Sequence, residues 1–348
     1  MRHTTTYPRP TRQPMTVLLT DGSSLASRQI ATALAWSGHH VEAVDRNPLC
    51  LARMTRHVRR VHQVPSFGAE PLSWLAAVLR LLETRSFDVV LPTQEQAALL
   101  AKVAEQVRRR GVGLAVPDFR ALARVQDKVA AEHALGDLDV PRPHTDVVYS
   151  AAELLKCQTP VFVKRAIGTA SNGVRRATTA NDLRSVAEQL EREGAFGDGV
   201  VAQRPADGPL VMVQALYDHG VLVAHHCCER VREGAGGGAS AKTGRSVPGL
   251  REVLSRFGEG LGWHAAVSFD VILSPDGLSF IDVNPRLVEP LNALFSGVDL
   301  VDGMLRLSRG EAVREIATSG SGARTHQLLL ALLGAAREGR GDGEFSGS

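Results

Sequence analysis

Two apolar β-runs that each carry an acid constrain this chain more than anything else in it. Ala265-Ala-Val-Ser-Phe-Asp270 and Leu278-Ser-Phe-Ile-Asp282 flank Ser274-Pro-Asp-Gly277, a turn sequence. The pattern predicts an antiparallel hairpin with Asp270 and Asp282 on neighbouring strands and one face. Asn284 lies two residues on and projects the same way if the strand continues. Two adjacent carboxylates repel unless a cation lies between them, and Mg²⁺ takes oxygen ligands of this kind together with substrate phosphates. Taken alone, the run reads more simply as a polar hairpin face bathed in water.

The first hundred residues follow a different period. Thr16-Val-Leu-Leu-Thr20 ends in Asp21-Gly22-Ser23, a helical pattern runs to Gly38, and Val41 to Val44 ends in Asp45. Strand, glycine turn, helix and strand make a βαβ unit of a parallel sheet. A further run, Phe87 to Leu91, ends in Pro92-Thr93-Gln94-Glu95, with a helix expected over 97–109 and a short strand over 114–116. A dinucleotide fingerprint would need three glycines where this turn has one, so the domain reads as a scaffold whose strand ends line a cleft. Val140-Pro-Arg-Pro143 fixes an extended connection, and from Val161 the pattern becomes rich in strands.

Three further features carry chemistry. Val161-Phe-Val-Lys164 puts a lysine inside an apolar strand, where desolvation is costly unless it meets an anion. The residues after it, Gly168-Thr-Ala-Ser171-Asn172-Gly173, are small and can turn backbone N–H groups onto phosphate oxygens. An edge-strand lysine before an ordinary hairpin loop is the plainer alternative, and no P-loop pattern occurs. Asp127-Lys128 alone means little. Gly234 to Ser240, followed by Lys242 and Arg245, reads as a mobile lid or a linker. His225-His-Cys-Cys228 cannot surround one ion, because adjacent strand residues face opposite ways.

Bulk properties bound the rest. The chain has 348 residues, 44% of them hydrophobic and 22% charged, with a formal net charge of +3. That size suggests two or three domains, and no basic run singles out nucleic acid as a partner. Arg56 to Arg60 and Arg108 to Arg110 read as solvated helix faces. Cys50, Cys157, Cys227 and Cys228 form no C-x-x-C pair, and no apolar stretch approaches the roughly 20 residues of a membrane span. The expectation is a cytoplasmic protein with no membrane contact. Residues 1–14 read as a disordered leader and 336–348 as a disordered tail. Arg324 to Leu330 reads as the start of a helix.

Asp-Lys, strand lysine with glycine loop, glycine-rich loop, then acid and Asp282-x-Asn284-x-Arg286 occur in one order. That order resembles the ATP-grasp superfamily, in its branch like carbamoyl phosphate synthase and biotin carboxylase, over roughly residues 16–310. The resemblance implies a Rossmann-like α/β domain over 15–117 with a parallel sheet, preceding α+β ATP-grasp domains. These would comprise a linker helix and small lobe over 118–205 and a large lobe over 206–335. It implies ATP and one or two Mg²⁺ as cofactors, with Mn²⁺ able to substitute. Lys128 and Lys164 would contact phosphates, and Gly168 to Gly173, Ser171 and Asn172 included, would cover them. Gln203, Arg204 and Pro205 would form the adenine hinge, with Asp207 taking the place of a ribose-binding acid. Asp270, Asp282 and Asn284 would hold the metal, Arg286 would steady the acyl phosphate or γ-phosphate, and Arg245 would bind the substrate carboxylate. Asp282 stands where glutamate is usual, which shortens its reach by one methylene. The implied activity is an ADP-forming carboxylate–amine ligase acting through an acyl phosphate on an amino acid or similar small carboxylate. The alternatives are a kinase, a bicarbonate-using carboxylase and a nucleotide-binding regulator. A homodimer is the family expectation.

Overall fold

The computed structural model describes residues 13–168, 173–234, 238–315 and 322–338. Most of the leader and most of the tail therefore lie outside the described residues. The first unit contains β1 (Thr16–Leu19), α1 (Leu25–Trp36), β2 (His40–Asp45), β3 (Val58–Gln63), α2 (Pro71–Thr84), β4 (Val89–Leu91), α3 (Gln96–Lys102) and α4 (Ala104–Arg108). Its parallel sheet has the order β3-β2-β1-β4. The short run at 114–116 remains outside the named strands, although neighbouring Gly113 bridges to Val89. The helix expected over 97–109 is two helices, and the arginines at 56–60 lead into strand β3 rather than a helix.

Helices α5 (Phe119–Ala123) and α6 (Lys128–Asp137) connect to a second sheet. Asp127 caps α6, its carboxylate accepting from the Ala130 N–H at 2.7 Å. This anchors Lys128 as the first residue of the helix. The second sheet comprises β5 (Thr145–Val148), β6 (Val161–Arg165), β7 (Val174–Ala177) and β8 (Val200–Gln203), with α7 (Ala151–Leu154) and α8 (Ala180–Arg192) between them. Its order is β5-β8-β6-β7, antiparallel throughout.

The third sheet has six strands. These are β9 (Leu210–Asp218), β10 (Val221–Glu233), β11 (Ala239–Gly244), β12 (Ala265–Ser274), β13 (Gly277–Asn284) and β14 (Arg324–His326). Helices α9 (Leu250–Leu261), α10 (Leu291–Phe295), α11 (Leu300–Ser308) and α12 (Leu328–Glu338) complete the unit. The order is β13-β12-β9-β10-β11-β14. Strand alternation gives this sheet two unlike faces. Val213, Cys227, Val267 and Phe269 pack into an apolar core with α9 residues such as Phe257. Met212, Gln214, His226, Cys228, Lys242, Ser268 and Asp270 share the opposite face by register. Lys242 thus lies in a strand, and Ala239 and Ser240 are buried parts of it rather than lid. Likewise 324–326 pairs with β11 as a strand, and the helix begins only at Leu328.

The first unit does not stand apart from the large sheet. Val17, Leu19, Ile30 and Leu34 share one core with Leu216, Ala265, Leu287 and Leu305. The small sheet keeps its own core around Val163, Leu183 and Phe196. Among the described residues no helix is long and apolar enough to cross a membrane.

Candidate functional site

Asp270 and Asp282 are direct cross-strand partners, and Ser268 and Asn284 are the next pair on the same face. A bulge between the Asp270 and Val271 pairings re-aims the strand at this point. The Asp270 carboxyl is pushed up to about 6, first by burial and then by the facing Asp282. Lys128 Nζ lies 2.5 Å from Asp282 Oδ1. Lys164 Nζ donates to the backbone oxygen of Ile281 at 2.6 Å and to Gln203 Oε1 at 2.8 Å. Burial is the main cause lowering Lys164 to about 8, and the Asp282 charge works against it. Two lysines from separate elements therefore converge on the strand that carries Asp282, where the small sheet meets the large one.

The residues after β13 are held by polar groups of the same face. The Ser268 hydroxyl donates to Arg286 O at 2.7 Å and accepts from the Val288 N–H at 3.2 Å. The Gln214 side-chain amide donates to Val288 O. This clamp presents Arg286, whose guanidinium lies 3.3 Å from Glu95 of the first unit. It also presents Glu289, which sits in the left-handed region with φ 54°.

Glu289 meets Lys242 at 2.6 Å, and Lys242 has a side chain only 4% exposed. Gln327 and Gln29 donate to the same Glu289 carboxylate at 3.0 and 3.4 Å. Beside them, His226 Nε2 contacts Asn292 Oδ1 at 2.8 Å, and burial keeps the His226 imidazole below its ordinary range. Burial also raises the Cys228 thiol to about 11, so it packs rather than reacts. The sequence reading gave Lys242 no role and did not reach Glu289. The only visible signal was an acid three residues beyond Arg286, and nothing in the sequence shows the backbone turn that aims it.

The other expected residues fall as follows. Gln203 is buried and spends its side chain on Lys164 and Thr145. The Arg204 N–H donates to His144 O, and its guanidinium reaches Gln158 at 2.6 Å. Pro205 is half-buried and Asp207 exposed at the start of the crossing into β9. Gly168 is half-buried, Gly173 takes φ 88°, and Ser171 and Asn172 lie outside the described residues. Arg245 is not brought to the set. It pairs with Glu229, which shares the Cys227 side of the sheet, opposite the acids. Strand parity accounts for this, because Lys242 already points to the acid face three residues earlier.

The residues suit a hard divalent cation. Two carboxylates and a neighbouring amide offer oxygen donors, and the ammonium on Asp282 offsets only part of the carboxylates' mutual repulsion.

Comparison with known proteins bears on what such a site is for. Residues 125–290 match the family model described as an ATP-grasp domain. Biotin carboxylase of Pseudomonas aeruginosa is 26% identical over 267 residues, which is 71% of this chain and 60% of that protein. Urea amidolyase of Lachancea kluyveri is 24% identical over 267 residues, 70% of this chain but only 14% of its own length. The chain thus spans less than two thirds of these relatives. A biotin carboxylase complex from Campylobacter jejuni superposes with TM-score 0.68 at 18% identity, covering 89% of this chain and 73% of that one. An L-amino acid ligase from Bacillus licheniformis superposes with TM-score 0.65 at 17% identity, covering 88% and 78%.

Proposed function

We propose, from the premise that this chain is an ATP-grasp protein of the biotin carboxylase and carbamoyl phosphate synthase-like branch, that it is an ADP-forming carboxylate–amine ligase. The convergence of Lys128 and Lys164 on β13 beside Asp270 and Asp282 is the observation that carries this reading. The two ammonium groups bind the phosphates of ATP, and the backbone at Gln203 to Pro205 meets the base. Asp270, Asp282 and Asn284 hold Mg²⁺, which when bound offsets charge on the β- and γ-phosphates. A substrate carboxylate oxygen attacks the γ-phosphorus and ADP leaves. An amine nitrogen then attacks the acyl carbon, phosphate leaves, and the amine gives up a proton. Arg286, steered by Glu95, faces the charge of the transferring group.

Lys242 and Glu289 define the acceptor end. Their pair is buried and also bonded by Gln29 and Gln327, a polar set suited to a small polar acceptor. Glu289 is placed to orient or deprotonate an amine. Arg245 belongs to the opposite face and has no role here.

A phosphate-release screen across amino acids, with and without hydroxylamine, tests the reading. Amino-acid-dependent phosphate release with hydroxamate trapped from one acid supports it. ATP consumption that yields a phosphorylated, hydroxylamine-inert product would replace it with a kinase. The carboxylase names of the curated relatives favour one second reading, activation of bicarbonate at the same site. Phosphate release that depends on bicarbonate and on no amino acid would establish that instead.

A further inference from the structure

The far end of the large sheet carries a second constellation. Ala265 pairs with Tyr217 and Asp270 with Met212 on the same two strands. Asp218 and His264 each lie six residues from the acid end of their strand, roughly 20 Å away at the strand rise. Asp218 and His219 belong to the turn that closes β9 onto β10, with His219 at φ 47°. That turn is tied down, since the Gly220 N–H donates to Trp263 O at 2.6 Å and the His219 N–H to His264 Nδ1 at 3.4 Å. The two imidazoles stack with centroids 4.2 Å apart and planes 14° from parallel. His264 Nδ1 lies 3.5 Å from Asp218 Oδ1. One ligand atom from each of the three lies within 4.8 Å of the others.

The geometry points to a transition-metal site formed by Asp218, His219 and His264, of the kind that takes Zn²⁺. Two imidazoles and one carboxylate favour a borderline ion over the hard cations that the all-oxygen set at Asp270 and Asp282 would take. Metal bonds of about 2.0–2.2 Å require the three ligand atoms to draw closer than they now lie. Exposed His219 can supply that rotation, while half-buried Asp218 and buried His264 stay with the sheet. Three protein ligands leave one coordination position. All three line a cleft of about 660 Å³, whose lining also includes Arg108 and Gly113 of the first unit. The bound ion would staple the β9–β10 turn to the start of β12, with its open position facing that cleft. This site stands apart from the nucleotide reading and does not depend on it.

The test uses the full chain, stripped with chelator and held in excess Mg²⁺ so that all-oxygen sites are filled. Zn²⁺ alone is titrated by calorimetry, and Co²⁺ alone is followed by its visible ligand-field absorption. One equivalent of Zn²⁺ and an intense Co²⁺ band are expected. His264→Gln and His219→Ala should each weaken Zn²⁺ by at least about tenfold and abolish the band. Because His219 is exposed, its substitution keeps the test open if His264→Gln fails to fold. No stoichiometric uptake by the native chain would overturn the proposal, as would unchanged affinity and band in the doubly substituted chain.

Discussion

Burial lowers Lys164 to about 8, well below an exposed lysine. Phosphate binding needs its charge. The affinity for a non-hydrolysable ATP analogue should therefore hold below pH 7 and fall severalfold between pH 7 and 9, with proton uptake on binding in that window. Lys164→Met should weaken the analogue by roughly 10- to 100-fold, the scale of a lost charge-assisted hydrogen bond, and flatten the pH profile. Calorimetry in two buffers of different ionisation enthalpy measures both. A native profile that stays flat to pH 9 would remove Lys164 from the phosphate site. Asp270 makes the reverse case. Its folded pKa of about 6 lies above the unfolded value of 3.8, so its contribution to stability is complete below pH 4 and lost as pH rises through 6. In metal-free protein at pH 7, Asp270→Asn should raise stability by on the order of 1–2 kcal/mol, after allowance for partial solvent contact. The same substitution should abolish Mg²⁺-dependent turnover. A denaturant titration with and without Mg²⁺ reads the first effect, and a drop in metal-free stability would contradict the repulsion.

At the scale of elements, the β12–β13 hairpin was legible because period-two alternation, a Pro-Asp-Gly turn and paired acids agree with one another. The β10–β11 hairpin was not. Its outer half is rich in glycine, serine and arginine, which reads as loop by composition, yet Glu229 and Arg230 pair in register with Thr243 and Lys242, the two facing cations being offset by Glu233 and Glu289. Lys242 thus stayed hidden as a site residue, and with it Glu289. Strand β3 was hidden for the same reason, its arginines being tolerable on the exposed edge of a parallel sheet. If Lys242 and Glu289 act at the acceptor end, Glu289→Gln should leave ATP affinity within about twofold and cut turnover by 100-fold or more, the scale of a lost general base. Equal losses in binding and turnover would make the pair a structural prop. The packing of α9 offers a separate check. A Cβ on Gly258 would come 2.3 Å from the Tyr217 ring, and Tyr217 is fully buried with its hydroxyl bonded to Leu254 O at 2.9 Å. Gly258→Ala should cost about 1–3 kcal/mol by overpacking, read as a shift in denaturation midpoint.

At the scale of the whole molecule, the cores divide it unequally. The parallel sheet and the large sheet share apolar residues in one continuous cluster, whereas the small sheet packs on itself. Sequence periodicity shows each sheet but cannot show this, because shared cores are made by residues hundreds of positions apart, such as Leu34 and Leu305. The small sheet nevertheless reaches the acids, through the Lys164 bond to the Ile281 carbonyl beside Asp282. A nucleotide that bridges Lys128, Lys164 and the acids would fix the small sheet against the large one. Hydrogen exchange should therefore slow in β6, β7 and β8 when an ATP analogue and Mg²⁺ are added, while α1 and α11, in the shared core, stay unchanged. Lys164→Met should remove that protection at analogue concentrations that saturate the native chain. Protection spread evenly over α1, α11 and the small sheet would mean that the molecule stiffens as one body. The junction between the two sheets would then not be where the nucleotide acts.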